Sequence, residues 1–110
     1  MTMASMPAKT PQVFTAVKAL AKAQKTPAYG QVGAQVGLSP RVVHIRLYAI
    51  WQWCARNNHP HLNGIVVNKR TGLPGSGYTP FGHPVTWAEF QKIKSAVLAY
   101  DWEPVRFPGT

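Results

Sequence analysis

The three residues Gly37-Leu38-Ser39 constrain the fold more than any other segment, because they separate two stretches with helical spacing of apolar residues. Glycine tolerates the left-handed backbone conformation that ends many helices. Serine followed by proline, here Ser39-Pro40, is a common start for the next helix. The segment therefore predicts a short helix from Tyr29 to Val36, a tight turn, and a long helix from Pro40 to about Asn57.

The long helix has two different faces. Apolar residues recur on one face at steps of four, three and four, which predicts a core stripe. A second face carries basic and hydrogen-bonding residues. The core stripe consists of Val43, Leu47, Ile50 and Cys54, and the second face of Arg41, His44, Tyr48 and Gln52, with Arg46 to one side. This pattern is typical of a helix-turn-helix, whose second helix presents its first turns to the major groove of DNA.

The rest of the chain predicts a small domain around this helix pair. Thr10-Pro11 opens an amphipathic first helix that is broken at Thr26-Pro27, and Thr86-Trp87-Ala88-Glu89 is a capping box that opens a fourth helix. Between them, the β-branched run from Leu62 to Val67 predicts a strand, and the glycine-rich stretch 68–78 predicts the turn toward a second strand. The predicted fold class is mainly α with a small β-hairpin: a winged helix-turn-helix that forms a single domain over residues 10–110, after a flexible N-terminus over residues 1–9.

The charge distribution limits the class of partner. Twelve Lys and Arg oppose three acidic residues, and residues 1–85 hold nine of the basic residues and no carboxylate side chain. A field of one sign over most of a domain favours a polyanion, most often nucleic acid. We therefore expect double-stranded DNA as the partner, with backbone phosphates gripped by the predicted wing. The candidate DNA-binding residues are Tyr29, Ser39, Arg41, His44, Arg46, Tyr48, Lys69 and Arg70.

Catalytic chemistry is not expected from this sequence. The glycines before the turn follow no strand and precede no Lys-Ser/Thr pair, so they do not form a phosphate-binding loop. Of the three acids, Glu89 is committed to a helix cap, and the acid-free first 85 residues argue against a two-metal nuclease. Cys54 lies on the core stripe, where a thiol is normally inert. The prediction is a protein without a catalytic residue, a metal site or a cofactor.

The same composition bears on the compartment. The apolar runs are too short for a membrane span, and the first ten residues lack the apolar region of a signal peptide. A single cysteine cannot form an internal disulfide, which fits a reducing compartment. We expect a cytoplasmic protein with no membrane partner.

Several segments resemble the DNA-binding domain of alkylguanine-DNA alkyltransferases, and still more the small alkyltransferase-like proteins. These segments are AYGQVGAQVG, SPRVVHIRL, NHPHLNGIVV and GSGY, within residues 11 to 100. In that family a Tyr-Gly pair, matched here by Tyr29-Gly30, opens the helix-turn-helix, and the tyrosine helps to rotate a damaged nucleotide out of the duplex. An arginine of the recognition helix fills the vacated gap, and its position falls near His44. The resemblance implies a winged-helix fold and binding of distorted or modified DNA.

The reactive cysteine motif of that family is absent. Pro60 matches the proline of its Pro-Cys-His-Arg motif, but His61 stands where the cysteine would be, and Leu62-Asn63 replace the following His-Arg. Without a thiolate there is no alkyl acceptor, so the resemblance implies binding without alkyl transfer. Extrusion of a nucleotide also requires a pocket for the base, and the pocket candidates are Pro60, His61 and Trp51.

A second class of function stays open. Small basic single-domain chains are common in phages and mobile elements, where they bind host proteins and regulate or inhibit them. The contact would then be the apolar C-terminal segment with Trp102 and Phe107, which is otherwise expected to pack back on the domain.

Overall fold

Four α-helices and one 3-10 helix make up the regular structure of residues 7–110, the part of the chain that this computed structural model describes. In chain order they are α1 (Thr10–Lys22), α2 (Tyr29–Val36), α3 (Pro40–Arg56), the 3-10 helix (Leu62–Ile65) and α4 (Trp87–Ala99). The first three α-helices pack against one another, and the 3-10 helix lies between them and α4. The prediction of a mainly α fold is confirmed. Residues 1–6 of the segment predicted to be flexible lie outside the described residues.

The turn between α2 and α3 has the predicted form. Helix α2 ends at Val36, and Gly37 follows it with a left-handed φ of 73°. Ser39 is the N-cap residue of α3, although its side chain makes no capping hydrogen bond. Gly33 lies where the turn folds back on α2: the Leu38 N–H donates to the Gly33 carbonyl oxygen at 2.9 Å. A Cβ atom at Gly33 would approach the Leu38 carbonyl oxygen to less than 3.0 Å, so the turn requires glycine there.

A core of aliphatic and aromatic side chains joins the helices to the C-terminal tail. The predicted stripe of α3 is buried, as is the tail: Trp102 and Phe107 are each 1% exposed. Phe107 stacks on Phe14 of α1 with 4.6 Å between ring centroids, and the Trp102 indole N–H donates to the Val97 carbonyl oxygen at 2.8 Å. The predicted packing of the tail against the domain is confirmed.

The prediction of a β-hairpin wing is wrong, because residues 7–110 contain no β-strand. The run from Leu62 forms a 3-10 helix instead, and Val67 makes only an isolated parallel bridge to Ala28. A strand of an exposed hairpin buries alternate residues, whereas Leu62, Ile65 and Val66 are all fully buried. The β-branched residues therefore reflect burial on every side rather than strand pairing.

The segment after this run is a tight loop. The Asn68 N–H donates to the Leu73 carbonyl oxygen, and the Gly72 N–H to the Asn68 carbonyl oxygen, both at 2.8 Å. These bonds close the chain over six residues and leave no second strand. Lys69 and Arg70 lie on this loop, exposed, rather than on a wing.

The outer helices begin and end by local signals. Thr86 and Glu89 form the predicted capping box of α4, with the Thr86 hydroxyl accepting from the Glu89 N–H at 3.3 Å and the Glu89 carboxylate accepting from the Thr86 N–H at 2.9 Å. Helix α1 ends at Lys22, four residues before the predicted break at Thr26-Pro27. Gln24, two residues after the end of the helix, adopts a left-handed φ of 61°. Across residues 7–110, every helix falls short of the length and apolarity that a membrane crossing needs.

Candidate nucleic-acid interface

The outward face of α3 carries several of the predicted DNA-binding side chains. Arg41 and His44 are exposed, and Ile45 and Tyr48 have exposed fractions of 54% and 52%. Residues three and four apart share one face of a helix, so these four side chains form one continuous surface. Ser39 lies exposed at the N-terminal end of this surface, where Pro40 carries no N–H and the Val42 and Val43 N–H groups donate to the Ser39 carbonyl oxygen at 3.0 Å and 3.1 Å.

Arg46 lies elsewhere. It is half-buried, and its Nε donates to the Ala8 carbonyl oxygen at 2.8 Å. Five residues separate it from Arg41, which rotates it by about 140° around a helix of 3.6 residues per turn. Its guanidinium group therefore binds the chain ahead of α1 instead of joining Arg41 and His44.

Tyr29, His44 and Gly75 form a clamp between α2, α3 and the segment that follows the loop. The Tyr29 ring stacks on the His44 ring with 3.8 Å between centroids, and the Tyr29 hydroxyl accepts from the Gly75 N–H at 2.5 Å. A Cβ atom at Gly75 would lie 2.7 Å from His44 Cε1, so a larger residue there would displace the His44 ring.

The clamp also sets the charge of its members. Burial raises the pKa of the Tyr29 hydroxyl, against a smaller opposite effect of its hydrogen bond to Gly75. Burial lowers the pKa of His44. His44 is therefore neutral at pH 7, and it offers hydrogen bonding rather than positive charge to a ligand.

A pocket of about 100 Å³ lies beside the clamp. Its lining residues are Tyr29, His44, Leu47, Tyr48, Trp51, Asn63, Pro74, Gly75, Gly77 and Tyr78. Sites for drug-sized ligands usually enclose about 300–1,000 Å³. In this conformation the pocket is thus too small for a nucleotide base and its sugar.

The structure divides the three predicted pocket residues between two neighbouring cavities, although the Trp51 and His61 rings lie close together, with 6.1 Å between centroids. Trp51 lines the small pocket, whereas Pro60 and His61 line a different cavity of about 280 Å³ that faces Phe81 and α4. His61 is hydrogen-bonded through Nδ1 to the Tyr78 hydroxyl at 2.7 Å, and burial lowers its pKa. His61 therefore positions Tyr78, which belongs to the small pocket.

Asn63 is a pocket residue that the sequence analysis did not identify. Its side chain is only 5% exposed, and its Oδ1 atom is buried without a hydrogen-bond partner in the described part of the chain. A buried unpaired carbonyl oxygen costs about 1–3 kcal/mol. The one signal in the sequence is a polar residue inside an otherwise apolar run.

The loop with Lys69 and Arg70 begins beside α2 and returns to α3. The Tyr29 N–H donates to the Val67 carbonyl oxygen at 3.1 Å, which places the start of the loop at the N-terminus of α2. Gly75, a member of the clamp, follows Arg70 by five residues, so the extended length of the chain limits the distance between Arg70 and the clamp to about 18 Å. The loop therefore runs from the N-terminus of α2 to the clamp, with its two cations exposed.

Basic residues of α1 and its N-terminal flank are engaged with the protein itself. The ammonium groups of Lys9 and Lys18 donate to the carbonyl oxygens of Val36 and Val105 at 2.9 Å and 2.8 Å, and Lys22 pairs with Glu103. In contrast, the side chains of Arg41, Lys69 and Arg70 donate no hydrogen bond to any residue from 7 to 110. The cations on the α3 side are thus available to an anion.

Catalytic groups are not brought together on this surface. The Glu89 carboxylate is held by Thr86 and His83, and hydrogen bonding to the Thr86 backbone lowers its pKa. Cys54 is buried, and burial raises its pKa to about 11. Within the described ranges, no three His, Cys, Asp or Glu side chains are grouped in a way that could hold a metal ion.

The C-terminal segment that was considered as a contact for a protein partner is buried in the domain. Both Trp102 and Phe107 are covered by the helices, so they offer no surface to another protein. Comparison with protein-family models, with curated proteins and with solved structures gives no match to this chain. The resemblance to alkyltransferase-like proteins therefore stays a prediction that the residues alone support.

Proposed function

We propose that this chain is a non-enzymatic DNA-binding protein that places the N-terminal half of α3 against double-stranded DNA. The observation that carries the proposal is the joint exposure of Arg41, His44 and Tyr48 on one helix face, on a chain with no carboxylate before Glu89. Such a surface attracts a polyanion and offers hydrogen-bond donors to it.

The side chains would take different roles in this complex. Arg41 suits the O6 and N7 atoms of guanine, or a phosphate oxygen. The neutral His44 donates or accepts a single hydrogen bond, and the N-terminus of α3 at Ser39 suits a phosphate. Lys69 and Arg70 contact backbone phosphates from their loop, and they supply affinity rather than sequence specificity.

Distorted or modified DNA is the target that the alkyltransferase resemblance suggests. Extrusion of a nucleotide into the pocket would require opening of the Tyr29–Gly75 hydrogen bond, because the closed pocket is about 100 Å³. Fluorescence of 2-aminopurine placed in a duplex reports such extrusion. A rise on addition of the protein, lost in Tyr29→Ala, supports it, whereas unchanged fluorescence restricts the protein to intact duplex.

Salt dependence of duplex binding tests the main proposal. Fluorescence anisotropy of a labelled duplex between 50 and 200 mM salt is expected to give a log–log slope that falls in magnitude by about 2 in the Lys69→Ala/Arg70→Ala double variant, since each phosphate contact contributes about 0.9. Lys22→Ala, which removes a lysine paired with Glu103, is the control and keeps the slope. Binding that is weak and insensitive to salt would refute the proposal.

Regulation of another protein is the second candidate function. Trp87 at the start of α4 has the largest exposed fraction, 57%, among the exposed large apolar side chains of residues 7–110, so it is the residue to test for such a contact. In that case Trp87→Ala abolishes the association, and the α3 variants leave it intact.

A further inference from the structure

An open groove lies along the C-terminal half of α3 and shares Tyr48 with the surface proposed for duplex DNA. It has a volume of about 580 Å³ and is lined by Tyr48, Trp51, Gln52, Ala55 and Arg56. These residues follow one another at steps of three, one, three and one, so they lie on one face of the helix. The volume falls within the range of about 300–1,000 Å³ that is usual for ligand sites.

The two aromatic rings of the groove differ in packing and exposure. Trp51 is held by Tyr78, whose ring meets it edge-on with 5.0 Å between centroids, and Tyr78 is in turn hydrogen-bonded to His61. Tyr48 also meets Trp51 edge-on, at 5.6 Å, but half of its side chain is exposed. The groove therefore has a fixed indole wall and an accessible phenol ring.

The polar residues of the groove match the chemistry of a nucleotide. The amide of Gln52 can both donate to and accept from a base edge, and the guanidinium of Arg56 can pair with a phosphate. Arg56 lies 15 residues after Arg41, about 22 Å along the helix. Because Arg56 is the only charged residue that lines the groove and α3 carries no acidic residue, the groove suits an anion at its Arg56 end.

We propose that this groove binds an unpaired nucleotide of single-stranded DNA, with the base stacked on Tyr48 and the phosphate on Arg56. The inference rests on the proposed DNA-binding function and adds the substrate class of this part of α3. Stacking of a base on an aromatic side chain contributes about 1–3 kcal/mol, which corresponds to about a 5- to 150-fold change in affinity. A single strand that leaves the duplex contact of Arg41 can follow α3 to this groove.

Photocrosslinking locates the stacked base directly. A twelve-nucleotide oligothymidylate with one 5-iodouracil is irradiated with the full-length protein and digested with trypsin. Cleavage after Arg46 and Arg56 releases residues 47–56, in which Tyr48 is the only exposed aromatic residue, beside the half-buried Trp51 and Trp53. The crosslink is expected in this peptide. A crosslink confined to residues 26–41 or 71–92 would overturn the proposal.

Affinity variants provide the second measurement. Tyr48→Ala is expected to weaken binding of the unmodified oligothymidylate about 5- to 150-fold and to weaken duplex binding less, whereas Tyr48→Phe keeps the ring and the affinity. Phe81→Ala is the matched control, because Phe81 is equally exposed at 53% and lies outside the groove. Far-ultraviolet circular dichroism verifies that each variant is folded.

The outcomes distinguish this inference from the function on which it rests. If the wild-type chain binds neither duplex nor single-stranded DNA, both the groove proposal and the DNA-binding function are overturned. Salt-dependent duplex binding with no single-strand binding, or with an oligothymidylate affinity that Tyr48→Ala leaves unchanged, overturns the groove alone. A concentration-dependent dimer in sedimentation that Tyr48→Ala dissociates would assign the groove to a second copy of the chain and also overturn the proposal.

Discussion

Replacement of Gly33 by alanine tests the packing on which the α2–α3 unit depends. A Cβ atom at this position would lie closer than 3.0 Å to the Leu38 carbonyl oxygen and 3.3 Å from its carbonyl carbon. Both atoms belong to the backbone of the turn, so no side-chain rotation relieves the overlap. The turn has to move away from α2, and α3 with its exposed surface moves with it.

The expected loss of stability follows from three contributions. Alanine gains about 1 kcal/mol over glycine inside a helix. Displacement of the turn weakens the hydrogen bond from the Leu38 N–H to Gly33, at a cost of about 1 kcal/mol. Overpacking of a close contact costs about 1–3 kcal/mol more. We expect Gly33→Ala to lower the free energy of unfolding by about 1–3 kcal/mol, or about 4–8 °C in Tm for each kcal/mol.

Gly30→Ala on the same helix is the matched control. Gly30 is exposed, and the atom nearest to an added Cβ is Pro40 Cγ at 4.0 Å, an ordinary contact. This variant is expected to gain up to about 1 kcal/mol. Urea unfolding followed by circular dichroism at 222 nm measures both. A Gly33→Ala variant as stable as the wild type or more stable would refute the close packing of turn and helix.

Three further predictions concern the core and the titratable groups. In the same urea assay, Trp102→Ala is expected to lower the free energy of unfolding by about 3–5 kcal/mol. The control Trp87→Ala, at an exposed position, is expected to lower it by less than about 0.5 kcal/mol. Equal losses would contradict the buried position of Trp102. The Cys54 thiol, with its pKa raised to about 11 by burial, is expected to react with an aromatic disulfide reagent only after unfolding, and fast reaction of the folded protein would contradict this. Burial lowers the pKa of His44 and His61 in the folded protein, so at a pH between the folded and the unfolded pKa the unfolded chain binds more protons than the folded chain. The free energy of unfolding is therefore expected to fall as the pH drops from 7 toward 5. The His44→Gln/His61→Gln double variant is expected to show a smaller fall over the same pH range, and an unchanged fall would contradict this assignment.

The helices were predictable because local chemistry sets their ends. The left-handed Gly37 and the Ser39 start of α3 depend on backbone preferences within four residues, and the capping box at Thr86 depends on two side chains three residues apart. The 3-10 helix Leu62–Ile65, where the sequence predicts a strand, was not predictable in the same way. A β-branched run that is buried on all sides has the same composition as a buried strand, and only its packing between α1, α3 and α4 distinguishes them.

The candidate site was predictable only as a list of residues on α3. Periodicity gives the face that holds Arg41, His44 and Tyr48, because that face is a property of one helix. It does not give the hydrogen bond of Arg46 to Ala8 or the contact of Tyr29 with Gly75, since these join residues 38 and 46 positions apart. Asn63 was missed for the same reason: its unpaired oxygen becomes evident only when the surrounding side chains are in place.

The charge asymmetry of the chain acquires a spatial meaning from these contacts. A lysine bound to a carbonyl oxygen or a carboxylate, as in Lys18 and Lys22, gives up part of its capacity to bind an external anion. The loop cations and Arg41 keep that capacity, because their side chains make no such bond to residues 7–110. A hydrogen bond to a carbonyl oxygen leaves the charge of a lysine in place, so the net charge of +9 still attracts a polyanion to the whole surface, and Arg41 and the loop cations differ in being able to contact it directly. We therefore expect a polyanion to contact Arg41 and the loop cations in preference to Lys18 or Lys22.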